Sequence, residues 1–174
     1  MMNIEKELAK RLMNEGNAEG RLEGYNREIN FYETVASGNS RALEERLKSF
    51  GANQVLGKLS NNALQNRKYH AVILAALVSR FCIEQGMEIS VAYTLSDIYI
   101  ELIDNASSGE EVRQLQMDLL RNYCRKMNEL TKSKVVSRHI VIAIDYIRSH
   151  IQDSLTVESI ADSLSLNSSY LSKL

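Results

Sequence analysis

Apolar residues recur at steps of three and four along most of the chain, the spacing that gives a helix one buried face. Ile4, Leu8 and Leu12 are four apart with charges between them, which predicts an amphipathic helix over residues 1–14. Gly16-Asn17-Ala18-Glu19-Gly20 predicts the first break. Residues 21–36 carry Tyr25, Ile29, Tyr32 and Val35-Ala36 at helical spacing and stop at Ser37-Gly38-Asn39. Residues 40–50 open on a serine cap, Ser40, carry glutamates in the first turns and end at Gly51, so the two segments predict an antiparallel helical hairpin. A polar loop containing Gly57 follows over residues 52–61.

The pattern changes over residues 62–85. Ala71 to Val78 is apolar on all sides, which predicts a helix enclosed by its neighbours and closed by Gly86. Residues 90–105 then place Val91, Leu95, Ile98, Tyr99 and Leu102 on one face before Ser107-Ser108-Gly109 interrupts. Residues 110–131 carry Val112, Leu115, Leu119, Tyr123 and Met127. Lys132-Ser133-Lys134 is short and polar and predicts a boundary. Beyond it, Ile140, Ile144, Ile147 and Ile151 form an apolar stripe on a helix over residues 137–151.

The last twenty residues predict a helix, a tight turn and the start of a second helix. Thr156 is placed as an N-cap with Glu158 in the first turn, and Val157, Ile160, Ala161 and Leu164 make one face. Ser165-Leu166-Asn167 breaks the pattern, and Asn167 can cap a helix that turns Leu171 and Leu174 inward. A small residue, Ala161, sits where the two helices must cross. This is the plan of a helix-turn-helix unit.

Ile144-Asp145-Tyr146-Ile147 to His150, Leu155-Thr156-Val157 with Ile160-Ala161, and Asn167 to Leu174 with Tyr170-Leu171-Ser172-Lys173 resemble the start of the AraC/XylS family DNA-binding domain. The resemblance covers roughly residues 136–174. It implies that only the first part of a domain with two helix-turn-helix units is here, without the connecting helix, the second unit or the family's C-terminal signature. Ser165 departs from the glycine common in such turns. The resemblance also implies that Ser169, Ser172 and Lys173 face the DNA groove. Arg67-Lys68-Tyr69-His70, Ser79-Arg80 and Ala92 to Asp97 resemble a helical region found upstream of such domains, which implies a regulatory or dimerisation module.

The expected organisation is all-α. An N-terminal helix (residues 1–20) precedes a helical-bundle regulatory or dimerisation domain (residues 21–131), followed by the first helices of an AraC-like domain (residues 132–174). The absence of proline and the presence of only eight glycines in 174 residues agree with it. Net charge is −1, and from residue 131 onward five Lys/Arg meet four Asp/Glu. Such a balance gives little grip on phosphates, so the 174-residue chain is expected to bind DNA weakly or not at all. Cys82 and Cys124 lie far apart without a CxxC motif and read as reduced packing residues of a cytoplasmic protein. No signal peptide and no run of eighteen apolar residues appears, so no membrane partner is expected.

Candidate chemistry is sparse. His70, His139 and His150 are scattered with no HxxxH, HExxH or CxxC spacing, so they read as surface or helix-end histidines, and no metal or cofactor is expected. GxSxG, GxGxxG and GxxxxGK[ST] are absent, so no catalytic residue is expected and the protein does not read as an enzyme. His70 and Arg80 on one predicted helix, with Tyr93 and Asp97 on the next, form a candidate effector pocket in which Arg80 or His70 meets an anion. The plainer alternative there is a structural pair between Asp97 and an arginine. On the second helix of the C-terminal unit, Ser168, Ser169, Ser172 and Lys173 fall on the exposed side, where hydroxyls and an ammonium can bond base edges or phosphates. The expected function is therefore sequence-specific transcription regulation, with double-stranded DNA, a small-molecule effector and a second copy as partners. The alternative is a helical ligand-binding or scaffold protein without DNA binding.

Overall fold

The computed structural model describes residues 3–14, 18–48, 57–151 and 154–173. They form eight helices, α1 (Ile4–Asn14), α2 (Ala18–Ala36), α3 (Ser40–Leu47), α4 (Ala63–Glu84), α5 (Ile89–Asn105), α6 (Gly109–Ser149), α7 (Val157–Ser163) and α8 (Ser168–Leu171), and no strand occurs among the described residues. The chain is all-α, as its periodicity predicts. Residues 49–56, which include the predicted end of the third helix at Gly51, lie outside the described residues.

Helices α2, α4, α5 and α6 make the bundle, with α3 laid across α6 and α2. The core is drawn from all five. Val35 and Leu43 meet Val78, Cys82, Ala92, Leu119, Leu120, Tyr123 and Met127 in one cluster, while Ala71, Ile103, Ala106 and Val112 form a second at the other end of α4. Each large aliphatic side chain in that cluster adds about 1.5–3 kcal/mol by leaving water. Local signals set the joints. Gln65 N–H donates to the Asn62 side chain (2.9 Å) at the start of α4 and Glu111 N–H to the Ser108 hydroxyl (3.1 Å) at the start of α6. Gly86, at φ 98°, closes α4 with its own N–H on the Ile83 carbonyl (2.8 Å) and the Met87 N–H on the Cys82 carbonyl (2.9 Å).

Four expectations change. The cap of α3 is Asn39, whose side chain accepts from Ala42 N–H at 3.0 Å, while the Ser40 hydroxyl turns to Cys124 (3.8 Å). Helix α4 is not enclosed: among the described residues α2, α5 and α6 are the helices packed on it, and Ile73 stays 45% exposed. On α5 the buried positions are Ala92, Ser96, Tyr99 and Ile103: of the predicted stripe Tyr99 is buried and Val91 and Leu95 pack half-buried on the core, while Ile98 and Leu102 stay exposed. The predicted boundary at Lys132-Ser133-Lys134 is continuous helix, because α6 runs unbroken for 41 residues. Lysine and serine do not stop a helix as glycine or proline would. Lys134 Nζ also donates to the Gln85 carbonyl at 3.3 Å, tying α6 to the end of α4 and setting a positive charge at that helix terminus.

The core titrates in one direction. Burial pushes the Cys82 thiol up to about 12, with Cys124 adding to the effect, and Cys124 itself is raised by burial. Burial also raises the phenols of Tyr32 and Tyr123 above their ordinary range. The folded state holds these protons more tightly than the unfolded chain, so stability is fully present below the ordinary cysteine value of about 8.5 and is lost as pH climbs. Urea midpoints measured at increasing pH should be level up to about pH 8.5 and fall thereafter, more steeply beyond about pH 10 where unfolded tyrosines ionise. A midpoint that rises through that range would contradict the assignment.

Candidate nucleic-acid interface and effector site

The C-terminal unit is built by capping and by one unusual backbone angle. Thr156 and Ser159 form a reciprocal box at the start of α7: Ser159 N–H donates to Thr156 Oγ1 (3.1 Å) and Thr156 N–H to Ser159 Oγ (3.0 Å). At the other end of α7 the Ser165 N–H bonds the Asp162 carbonyl (3.0 Å) and the Leu166 N–H the Ala161 carbonyl (2.8 Å). These two bonds close a Schellman motif with Ser165 in the left-handed position, φ 54°. Asn167 then caps α8, accepting from Ser169 N–H at 2.9 Å. Ala161 is fully buried at the crossing of the two helices. Helix, turn, cap and small crossing residue follow the sequence reading. Leu174 lies outside the described residues.

A serine at positive φ carries a steric cost of about 1–2 kcal/mol that a glycine lacks. Ser165→Gly should therefore stabilise this unit by up to about 1 kcal/mol, after the greater chain entropy of glycine is set against that gain. Amide hydrogen exchange at Leu166 and Ile160 would report it. Faster exchange in the variant would contradict the strain.

Of the four residues assigned to DNA, Ser169, Ser172 and Lys173 are exposed, while Ser168 is half-buried. The Ser172 hydroxyl donates to the Ser168 carbonyl at 2.9 Å, so its proton is already engaged within the helix. Ser169 and Lys173 are the two that present unengaged polar groups outward. Tyr170 turns back to α6, its ring edge-on to His139 with centroids 6.1 Å apart.

That contact corrects two readings. His139 is half-buried beneath α8 rather than at the surface, and its Nδ1 is buried with no partner among the described residues. The face of α6 turned toward α7 and α8 runs through Val136, His139, Ala143, Tyr146 and His150, all buried or half-buried, with Tyr146 stacked on His150 at 4.2 Å. The predicted stripe of Ile140, Ile144, Ile147 and Ile151 lies one residue round and remains 37–74% exposed. Hydrophobicity alone selected the isoleucines. The buried face has the same step of three and four but mixes histidine, tyrosine and alanine, which a hydrophobic pattern passes over.

The candidate effector group is only partly assembled. The Arg80 guanidinium lies over the Tyr93 ring, 4.8 Å from its centroid, and its Nη1 donates to the Ala76 carbonyl and to the Ser79 hydroxyl, each at 3.2 Å. Asp97 sits one turn beyond Tyr93 but forms no ion pair with Arg80 among the described residues, so the predicted structural pair is absent. Beneath them Tyr123 is fully buried, and its hydroxyl donates to the Ala92 carbonyl at 2.5 Å. The proximity of Cys82 adds to burial in raising that phenol, the Ser79 hydroxyl and the Arg80 charge oppose the rise, and Asp97 adds to it. His70 does not belong to the group. It is ten residues from Arg80 on α4, about 15 Å along the axis, and its Nε2 donates to the Gly57 carbonyl at 2.8 Å. There it works with Asn66, whose side chain accepts from the Leu59 and Ser60 N–H groups at 2.6 and 2.8 Å, to hold the entering loop against α4. What remains is a cation stacked on an aromatic face, able to offer its free guanidinium edge to an anion.

No grouping of three or more His, Cys, Asp or Glu side chains suited to a metal ion occurs among the described residues, and no helix among them is long and apolar enough to cross a membrane. No family model, curated protein or solved structure matches the chain.

Proposed function

We propose that the protein is a sequence-specific DNA-binding transcription regulator of the AraC type, in which the bundle is a regulatory and dimerisation module and α7–α8 is the first reading unit. The observation that carries the reading is the α7–turn–α8 joint: a capped helix, a left-handed residue at Ser165, and buried Ala161 at the crossing. In this reading Ser169 and Lys173 contact the groove, and Ser172 and Ser168 shape the helix that presents them. The Arg80–Tyr93 pair receives an anionic effector, and the unbroken α6 joins that module to the reading unit. Two copies act together on paired half-sites.

A mobility-shift assay against the DNA upstream of its own gene tests this, using the protein with any residues that its gene encodes after Leu174. Lys173→Ala should weaken binding by about 1–2 kcal/mol and lower the salt slope by about one ion, as loss of one phosphate contact does. Ser169→Ala should weaken binding by up to about 1 kcal/mol. Binding indifferent to both variants would remove these residues from the interface. The second reading, a helical ligand-binding or scaffold protein without DNA contact, is favoured by one observation, the net charge of −1. Absence of any shift at low salt would turn the choice to it.

A further inference from the structure

We propose that the apolar stripe of α1 is the face on which a second copy of the chain docks, with the two α1 helices antiparallel. The proposal rests on the dimer in the reading above, and not on its DNA contact. Ile4, Leu8, Leu12, Leu22 and Tyr25 are each at least 50% exposed, and α1 packs on no other element among the described residues. An isolated helix shorter than about 12–15 residues is marginal in water, and α1 has 11. A helix of that length needs another surface to hold it.

The start of α2 points to the same conclusion. Leu22, Tyr25, Ile29, Tyr32 and Ala36 follow steps of three, four, three and four, a single seam along the helix. Its far end, Tyr32 and Ala36, is buried in the bundle, Ile29 is half-buried, and its near end emerges without any change of phase. The sequence thus continues to specify a packed seam where the described residues supply no partner. Ile4, Leu8 and Leu12 leave an exposed apolar stripe along α1, the kind of surface that marks an interaction site.

Charge and symmetry select the occupant and its direction. Glu5, Lys6 and Glu7 stand in the first turn of α1, a net negative end although Glu7 also pairs with Arg11 within the helix (2.9 Å), and Lys10 and Arg11 stand toward its end. Antiparallel pairing sets the acidic end of one helix against the basic end of the other, whereas parallel pairing sets like against like. Leu8 lies midway between Ile4 and Leu12, so reversal of direction brings Leu8 against Leu8 and Ile4 against Leu12. The surface is complementary to itself, as a two-fold interface requires. It is smaller than the roughly 800 Å² per partner of a standard complex, so the dimer is of the weak, micromolar class.

Sedimentation velocity on the full chain from about 1 to 200 µM brackets that class of affinity. The expected result is a concentration-dependent dimer. Leu8→Lys and Leu12→Lys should each weaken it about tenfold or more, as loss of a central apolar anchor does, with the melting temperature unchanged at about 1 µM, where the parent is itself monomeric. Direction is read by cross-linking with a short thiol reagent: an Ile4→Cys chain mixed with a Leu12→Cys chain should join, while Ile4→Cys alone should not. A chain that stays monomeric at the highest concentration overturns the proposal. So does a dimer untouched by both lysines, or Ile4→Cys joining to itself as readily as to Leu12→Cys. A lowered melting temperature in Leu8→Lys at about 1 µM, where the parent is monomeric, overturns it too, since α1 would then be packed on its own chain. None of these readouts involves DNA, so failure here and failure of the DNA reading are separable.

Discussion

Gly38→Ala lowers stability by more than about 3 kcal/mol, the largest effect expected of any single methyl group in this chain. Gly38 sits in the turn between α2 and α3 at φ 71°, where an L side chain is strained by about 1–2 kcal/mol. The space is worse than the angle. An added Cβ would lie 2.5 Å from Asn128 N, 2.7 Å from its Cα and 2.8 Å from the Met127 carbonyl carbon, all backbone of α6. Backbone cannot rotate aside as the end of a side chain can, so α3 must lift from α6. That motion also breaks the bond from Asn128 Nδ2 to the Gly38 carbonyl (3.0 Å) and loosens the Arg121–Glu44 pair. For a domain of this size each kcal/mol moves the melting temperature by about 2–4 °C, so a fall of roughly 8 °C or more is expected. Gly24→Ala is the internal control. Nothing lies within 4 Å of its added Cβ, and the residue is within α2, so the same change should raise stability by about 0.5–1 kcal/mol. Calorimetry on the two variants decides the matter: equal shifts would mean that the turn is not pressed against α6.

Tyr123→Ala should cost about 3–5 kcal/mol, the range for emptying an aromatic site in a core. Tyr123 is the largest of the fully buried side chains and lies in the cluster shared by α2, α3, α4, α5 and α6. Its removal leaves a void in that cluster. Tyr123→Phe separates shape from polarity. It keeps the ring and deletes only the hydroxyl that bonds the Ala92 carbonyl, so about 1 kcal/mol should be lost. Because the phenol is raised by burial, the phenylalanine variant should also lose less stability above about pH 10 than the parent. Denaturant titrations of both variants at pH 7 and pH 10.5 measure these quantities. A Tyr123→Phe chain as damaged as Tyr123→Ala would show that the hydroxyl, rather than the ring, organises the core.

The two sites differ in how far they could be read in advance. For α7–α8 nearly every device is local: Thr156 caps its own helix, Asn167 caps the next, and Ala161 is the one small apolar residue on its face. Local devices are written in adjacent residues and can be recognised there. Ser165, which departs from the glycine common in such turns, alone among the described non-glycine residues takes a positive φ. The effector group depended on which faces meet. Arg80 and Tyr93 do meet, but the entering loop claims His70 through Gly57, and nothing in the spacing of the helix signals that claim.

Sequence by itself therefore determined the all-α class, the joints between helices to within a few residues where they are described, and the capped plan of the C-terminal unit, while the break expected at Lys132-Ser133-Lys134 is continuous helix. Periodicity, caps and glycines act over one or two turns, a range that neighbouring residues encode. The faces of α2 and of the first half of α6 were also legible, since Tyr32, Val35, Ala36, Val112, Leu119, Tyr123 and Met127 are buried as their spacing implies. Tertiary structure alone decided the rest: the α6 isoleucines lost their place to Val136, His139, Ala143, Tyr146 and His150, and on α5 Ile98 and Leu102 stay exposed while Ala92 and Ser96 are buried. The physical reason is common to both. Hydrophobicity ranks residues by the cost of leaving them in water, whereas close helix crossing selects residues by size and shape, and only the partner helix sets how much room there is.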